Sequence, residues 1–325
     1  MVLAILLLLT GFVILVKGAD FLVLGSSSIA KRYNVSSLAI GLTVVAFGTS
    51  TPELIVSMLS AVNGRNDASF GNVFGSTNFN TYLILGTAGL IYPLVVQRNT
   101  IKYEVPLSFF AALLVFVLVN DVQIWGSASN ELSRFDAALL LLTFLLFMYY
   151  ITQMMKRGAH MEESTIRLFT LPISIGLSLL GLVMLVGGGT LVVENAVAIA
   201  EHYKLSEKLI GITILAAGTS LPELATSAVA AYRKNTDIAI GNVIGSNIFN
   251  LTVVLGITGV IHPIPYNSSM NIDIVVMGVG AIVLMIFMFT INQRKLDRWE
   301  AFLLFAGYIT YVVYQIFHDQ PLSQV

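Results

Sequence analysis

The chain has 325 residues, of which 56% are hydrophobic and 11% charged, with a formal net charge of −1 and no cysteine. A soluble domain carries about 25% charged residues, so this composition, with a mean hydropathy of +0.85, excludes an ordinary water-exposed surface and points to a bilayer. The lack of cysteine excludes disulfides, thiolate metal sites and cysteine nucleophiles, and the near-neutral charge excludes a generally basic nucleic-acid binder.

A membrane span needs about 20 apolar residues. Ten apolar runs fill the chain, near 2–30, 38–62, 70–93, 104–120, 135–153, 168–200, 207–231, 238–262, 272–292 and 298–317. The first has no basic residue before it and continues past Lys17 and Asp20 to Leu24. It reads as a true span rather than a secretory leader. Runs one and six are long enough to predict strong tilt. No linker between runs is long enough for a separate soluble domain. Twelve of the seventeen Lys and Arg fall in loops 1–2, 3–4, 5–6, 7–8 and 9–10. Four (Arg65, Arg134, Lys204, Lys208) fall in the alternate loops, and Lys17 lies within helix 1. The positive-inside rule then places both termini outside and the 5–6 loop in the cytoplasm.

Residues 41–86 and 211–256 repeat without a gap at an offset of 170, with 21 of 46 positions identical. The repeating unit contains five predicted helices, and an odd number inserts the second copy upside down. The expectation is an all-α membrane protein of ten helices in two inverted five-helix units, a known transporter architecture with its site at the unit interface. The units span 1–153 and 168–325, joined by a cytoplasmic connection at 154–167. Helices 2 and 7 should be broken at the core. Fold history alone would preserve apolar faces and packing glycines, but polar residues at membrane depth are costly, and here they are duplicated.

Glu53 and Glu223 fall near the middle of helices 2 and 7, with no Lys or Arg within several turns on the same helix. Two carboxylates converging from opposite halves make a site of charge −2, which one Ca²⁺ neutralises; hard divalent cations also prefer oxygen ligands. Thr49, Ser50 and Glu53 recur as Thr219, Ser220 and Glu223, and Ser76 and Asn80 as Ser246 and Asn250. The i, i+4 spacing puts Ser76 and Asn80, and likewise Ser246 and Asn250, on one helix face. Pro52 and Pro222 remove the hydrogen bonds to the carbonyls of Gly48 and Gly218, and freed carbonyls at membrane depth belong beside a cavity.

These paired GTS-x-PE and GN-V-x-GS motifs resemble the sodium/calcium exchangers of the cation/calcium exchanger superfamily, especially the short prokaryotic members, over essentially the whole chain. The resemblance implies a cluster of four ion positions, with Glu53 and Glu223 as shared carboxylates. It implies backbone carbonyls from Ala46, Thr49, Ala216 and Thr219 at the Na⁺ positions, hydroxyls from Ser50, Ser220, Ser76 and Ser246, and Asn80 and Asn250 lining the centre. Some relatives, notably the potassium-dependent exchangers, carry Asp where this chain has Asn250, so the site stays at −2. That argues against obligatory K⁺ co-transport. Family members commonly move three Na⁺ per Ca²⁺, which implies electrogenic antiport with helices 1 and 6 sliding. The expected setting is a prokaryotic plasma membrane. Ca²⁺ and Na⁺ are expected as cargo, with no cofactor, no nucleic acid and no obligate protein partner beyond the bilayer.

Ca²⁺/H⁺ exchange at the same glutamates remains the main alternative, ahead of a passive cation channel or an intramembrane hydrolase using paired carboxylates. Other polar residues have plainer readings. Lys17 and Asp20 are spaced for an i, i+3 ion pair. Asp67 and Asp237 suit helix starts. Glu194 marks a helix end or an entrance. Asn72 and Asn242 either orient the site or cap helices. Trp125 and Trp299 suit the membrane interface. The four histidines show no metal-ligand spacing.

Overall fold

The computed structural model describes residues 2–98, 100–156, 168–203, 216–289 and 294–318. Most of the 154–167 connection, the start of the run at 207–231, and the basic residues Arg157, Arg167, Lys204 and Lys208 lie outside the described residues.

Among the described residues ten longer helical segments follow in chain order, besides a short helix at Asp121–Trp125. They are α1 (Val2–Arg32), α2 (Ser37–Thr49 and Thr51–Val62), α3 (66–91), α4 (Thr100–Val119), α5 (Arg134–Lys156), α6 (Leu171–His202), α7 (216–232), α8 (Thr236–Ile261), α9 (Ser268–Phe287) and α10 (Arg298–His318). Among the described residues six of these, α1, α4, α5, α6, α8 and α9, are long and apolar enough to cross a membrane. The two halves of α2, bent by 45°, make up to seven. The duplicated polar motifs explain part of the difference from ten: α3 carries Asn66, Asp67, Asn72, Ser76, Thr77, Asn78 and Asn80 along one helix.

Buried residues make up 83% of the most apolar stretch of α8 but only 22% of those of α1 and α5. Thus α8 forms the centre, while α1 and α5 present Leu3, Leu6, Leu9, Val13, Leu142, Leu145 and Leu146 outward. On a helix surrounded by hydrocarbon, that is the expected face.

α1 and α6 form an antiparallel pair built on glycine. A Cβ at Gly11 would lie 3.1 Å from the Gly188 carbonyl, one at Gly18 would lie 2.9 Å from the Gly181 carbonyl, and one at Gly25 would lie 2.6 Å from the Ser174 carbonyl. Without a hydrophobic drive between helices in lipid, small residues that admit backbone approach supply the packing. The first half of α2 packs on α8 by the same device, since a Cβ at Gly245 would lie 2.6 Å from the Leu42 carbonyl.

Two features depart from a purely helical chain. Leu94–Val95 pairs antiparallel with Lys295–Leu296, and Glu131–Leu132 pairs with Ile264–Pro265. Leu94 and Ile264 are repeat mates, so the equivalent loop of each half forms a two-residue ribbon with a segment of the other half. The turns after α2 and α7 also match: Gly64 has φ +73° and its mate Lys234 has φ 60°, the left-handed conformation that closes a helix C-terminus.

The predicted Lys17–Asp20 pair is not the one formed. Asp20 instead makes a salt bridge with Arg233 at the end of α7, because Arg233 approaches α1 from the neighbouring segment while Lys17 is exposed. Asn235 extends this contact by donating to Ser27 Oγ at 3.0 Å. Asp67 and Asp237 sit in the first turns of α3 and α8, as helix-start charges should.

Candidate functional site: a reciprocal two-carboxylate centre

The break in α2 falls at Ser50 (φ −85°, ψ 8°) and the matching one in α7 at Ser220 (φ −92°, ψ 6°). Each proline stands at the start of the following helical half, where its missing N–H costs nothing to that half but leaves the preceding carbonyl without its i+4 donor. Glu53 and Glu223 therefore sit in the first turn after a break, where the aligned N–H groups favour negative charge.

Both carboxylates are fully buried, and each is held by the opposite half. Ser50 Oγ donates to Glu223 Oε1 at 2.8 Å. Ser220 Oγ donates to Glu53 Oε1 at 3.0 Å. Ser76 Oγ lies 3.2 Å from Glu53 Oε1, 2.8 Å from Ser220 Oγ and 3.1 Å from Asn250 Nδ2, which donates to it. No basic side chain pairs with either glutamate among the described residues. The second oxygens, Glu53 Oε2 and Glu223 Oε2, receive no hydrogen bond from the protein. Ser246 Oγ, Asn250 Oδ1 and both polar atoms of Asn80 are likewise without protein partners. Buried polar atoms are nearly always satisfied, so a cluster of oxygen-rich exceptions around two carboxylates is suited to a cation.

Of the residues singled out from sequence, Ser50 and Glu223 form one hydrogen-bonded set and Glu53, Ser220, Ser76 and Asn250 another. Thr49 is buried beside them and Thr219 is partly exposed. Ala46 is buried at the break, and Ala216 is described by its backbone alone. Asn72 and Asn242 turn out to contact both halves. Asn72 Nδ2 donates to the Glu53 carbonyl (3.1 Å) and Ser57 Oγ (2.8 Å), while its Oδ1 accepts from Thr219 Oγ1 (3.3 Å). Asn242 repeats this on the Glu223 carbonyl (3.3 Å), Ser227 Oγ (2.9 Å) and Thr49 Oγ1 (3.2 Å). Ser57 and Ser227 were not singled out, although each stands four residues after its glutamate and is identical in both copies.

Three further buried carboxylates, Glu104, Asp273 and Glu300, lie outside this centre, and two of them hold tyrosine hydroxyls. Glu104 accepts from Tyr150 Oη at 2.5 Å, and Asp273 accepts from Tyr311 Oη at 2.5 Å and Gln315 Nε2 at 2.6 Å. Neither falls in a duplicated motif of identical residues, so the repeat could not flag them.

The fold and centre together define a helical integral membrane protein with a paired-carboxylate polar core. The profile of the family described as "Sodium/calcium exchanger protein" matches residues 3–153 and 173–317. The chain is 36% identical to the "Putative antiporter CaxA" of Alkalimonas amylolytica, over 96% of this chain and 98% of that one. It is 30% identical to the "Sodium/calcium exchanger MaX1" of Methanosarcina acetivorans, over 95% and 97%. Its fold is similar to the solved sodium-calcium exchanger NCX_Mj soaked with 10 mM Na⁺ and zero Ca²⁺, with a TM-score of 0.81 and 31% identity over 96% and 98% of the two chains. The chain belongs to the sodium/calcium exchanger family.

Proposed function

We propose that this chain is a Na⁺/Ca²⁺ antiporter working by alternating access, with Ca²⁺ and Na⁺ competing for the oxygens around Glu53 and Glu223. The observation that carries the reading is the reciprocal arrangement: each carboxylate is held by the serine of the other half and keeps one oxygen without a protein donor. Two buried negative charges without a basic partner are costly in hydrocarbon. One Ca²⁺ or two Na⁺ offsets them, so an unloaded centre resists passage and exchange is favoured over leak. A third Na⁺ makes the loaded centre +1 and the cycle electrogenic. Asn250, in place of an acid, supports K⁺ independence.

In this reading α1 to α10 are ten spans in two inverted units. The antiparallel α1–α6 pair, the matched loop ribbons and the symmetric asparagine contacts support that symmetry. The ion centre comprises Glu53, Glu223, Ser50, Ser220, Ser76, Ser246, Asn80 and Asn250, with the backbone carbonyls of Ala46, Thr49, Ala216 and Thr219. The basic loops favour both termini outside, and the similarity to short prokaryotic exchangers favours a prokaryotic plasma membrane.

The test is ⁴⁵Ca²⁺ uptake into Na⁺-loaded proteoliposomes diluted into Na⁺-free medium. Uptake should need the outward Na⁺ gradient and vanish in Glu53→Gln and Glu223→Gln. Uptake that ignores Na⁺ but follows an imposed pH gradient would assign proton coupling instead. A folded parent with no gradient-driven uptake would refute calcium exchange.

A further inference from the structure

The two asparagines of the GN-V-x-GS motifs carry more than a packing role. The orientation of the Asn242 amide is dictated by chemistry, because the Glu223 carbonyl can only accept. Nδ2 must therefore face Glu223, and Oδ1 must face Thr49. The Thr49 hydroxyl has one proton but three acceptors at nearly equal distance: the Val45 carbonyl at 3.1 Å, the Ala46 carbonyl at 3.2 Å and Asn242 Oδ1 at 3.2 Å. Two of these acceptors are main-chain oxygens at the broken part of α2. The third belongs to the other half of the molecule. Asn242 is itself fully buried, so water does not substitute for it. Its second donor bond, to Ser227 Oγ, anchors it one turn beyond Glu223.

We propose that Asn242 is a positioning residue for Na⁺: by accepting the Thr49 proton it releases the Ala46 and Val45 carbonyls to face a cation, while its amide nitrogen fixes the Glu223 backbone. The inference rests on the exchanger reading above, in which the Ala46 carbonyl serves a Na⁺ position. Asn72 makes the matching contacts to Thr219 and to the Glu53 carbonyl in the other half. Each asparagine thus links one half's carboxylate to the other half's carbonyls, and Na⁺ occupancy depends on both halves staying in register. Without Asn242 the Thr49 hydroxyl caps the carbonyls permanently, and Na⁺ must displace it. Ca²⁺, held chiefly by the carboxylates, is affected less.

The experiment measures half-saturating Na⁺ for Na⁺-driven Ca²⁺ transport, and half-saturating Ca²⁺ in Na⁺-free Ca²⁺/Ca²⁺ exchange, both in proteoliposomes. Asn242→Ala should raise the Na⁺ value about fivefold, the effect of one net hydrogen bond, and move the Ca²⁺ value less than about twofold. Thr49→Val keeps its backbone carbonyl but has no hydroxyl to cap Ala46. Added to Asn242→Ala, it should recover most of the lost Na⁺ affinity, which a merely structural role for the asparagine would not allow. An equal rise in both half-saturation values, or a double variant no better than Asn242→Ala, overturns the proposal. If Asn242→Ala does not fold, Asn72→Ala with Thr219→Val makes the same comparison in the more exposed copy. Failure of the parent to exchange at all would sink the exchanger reading, whereas these ratios among active variants test the asparagine alone.

Discussion

Gly181 is the position where a single methyl group should do the most damage relative to its size. A Cβ there would stand 2.6 Å from Leu22 N, 2.7 Å from the Gly18 carbonyl oxygen and 3.0 Å from Leu22 Cα. All three are backbone atoms of α1, so no side chain can turn aside. Restoring ordinary contact near 3.5 Å requires α1 and α6 to separate locally by about 0.9 Å. That gap weakens dispersion contacts along the glycine seam, and overpacking of this kind costs about 1–3 kcal/mol. Gly187, six residues on and facing outward, has nothing within 4 Å of its added Cβ. There, alanine gains up to about 1 kcal/mol of helix propensity. The pair is therefore internally controlled: same helix, same substitution, opposite sign. Thermal denaturation in detergent micelles, followed by retention of the monodisperse peak, should rank Gly187→Ala at or above the parent and Gly181→Ala clearly below it. A Gly181→Ala protein as stable as Gly187→Ala would show that the two helices do not meet through this seam.

Ser50→Ala and Ser220→Ala each remove a donor to the opposite glutamate. A hydrogen bond to a charged group contributes about 1.5–3 kcal/mol, so apparent Ca²⁺ affinity should fall at least about tenfold in each, measured by ⁴⁵Ca²⁺ uptake; an unchanged affinity would remove the serines from the centre. The Asp20–Arg233 bridge leaves its side chains 26% and 37% exposed, so a double-mutant cycle of Asp20→Asn and Arg233→Gln should give a coupling below about 1 kcal/mol. A larger value would mean that the pair is effectively desolvated. Lys234→Gly should relieve a left-handed backbone worth about 1 kcal/mol while losing the Tyr92 ring contact at 5.8 Å, worth about 0.5 kcal/mol at an exposed site. A small net gain in thermal stability is expected, and a loss above about 1 kcal/mol would contradict the strain argument.

Much of the centre was legible because duplication marks it. Polar residues are costly at membrane depth, and a gene copy that keeps Thr, Ser, Pro, Glu, Ser and Asn at one offset keeps them for their chemistry. The breaks at Ser50 and Ser220 followed from proline and glycine alone. The serine-to-glutamate exchange between halves did not, because spacing along a helix says which face a residue occupies but not which neighbour that face meets. The same limit hid the partner of Asp20. Along α1 the nearest cation is Lys17, three residues away, whereas in space Arg233 reaches it from 213 positions downstream.

The asparagines show most plainly what duplication can and cannot convey. Asn72 and Asn242 read equally well as caps or as site residues, since both roles need a polar side chain near a helix start. What separates them is the direction of each bond. A cap would spend its oxygen on the N–H groups of its own helix; here the oxygen accepts from a threonine of the other half and the nitrogen holds a glutamate carbonyl. A sequence repeats residues, but only the folded pair of repeats decides that each copy completes the other. Such a centre has no half that works alone, which is why the identical polar residues that build it lie on α2, α3, α7 and α8.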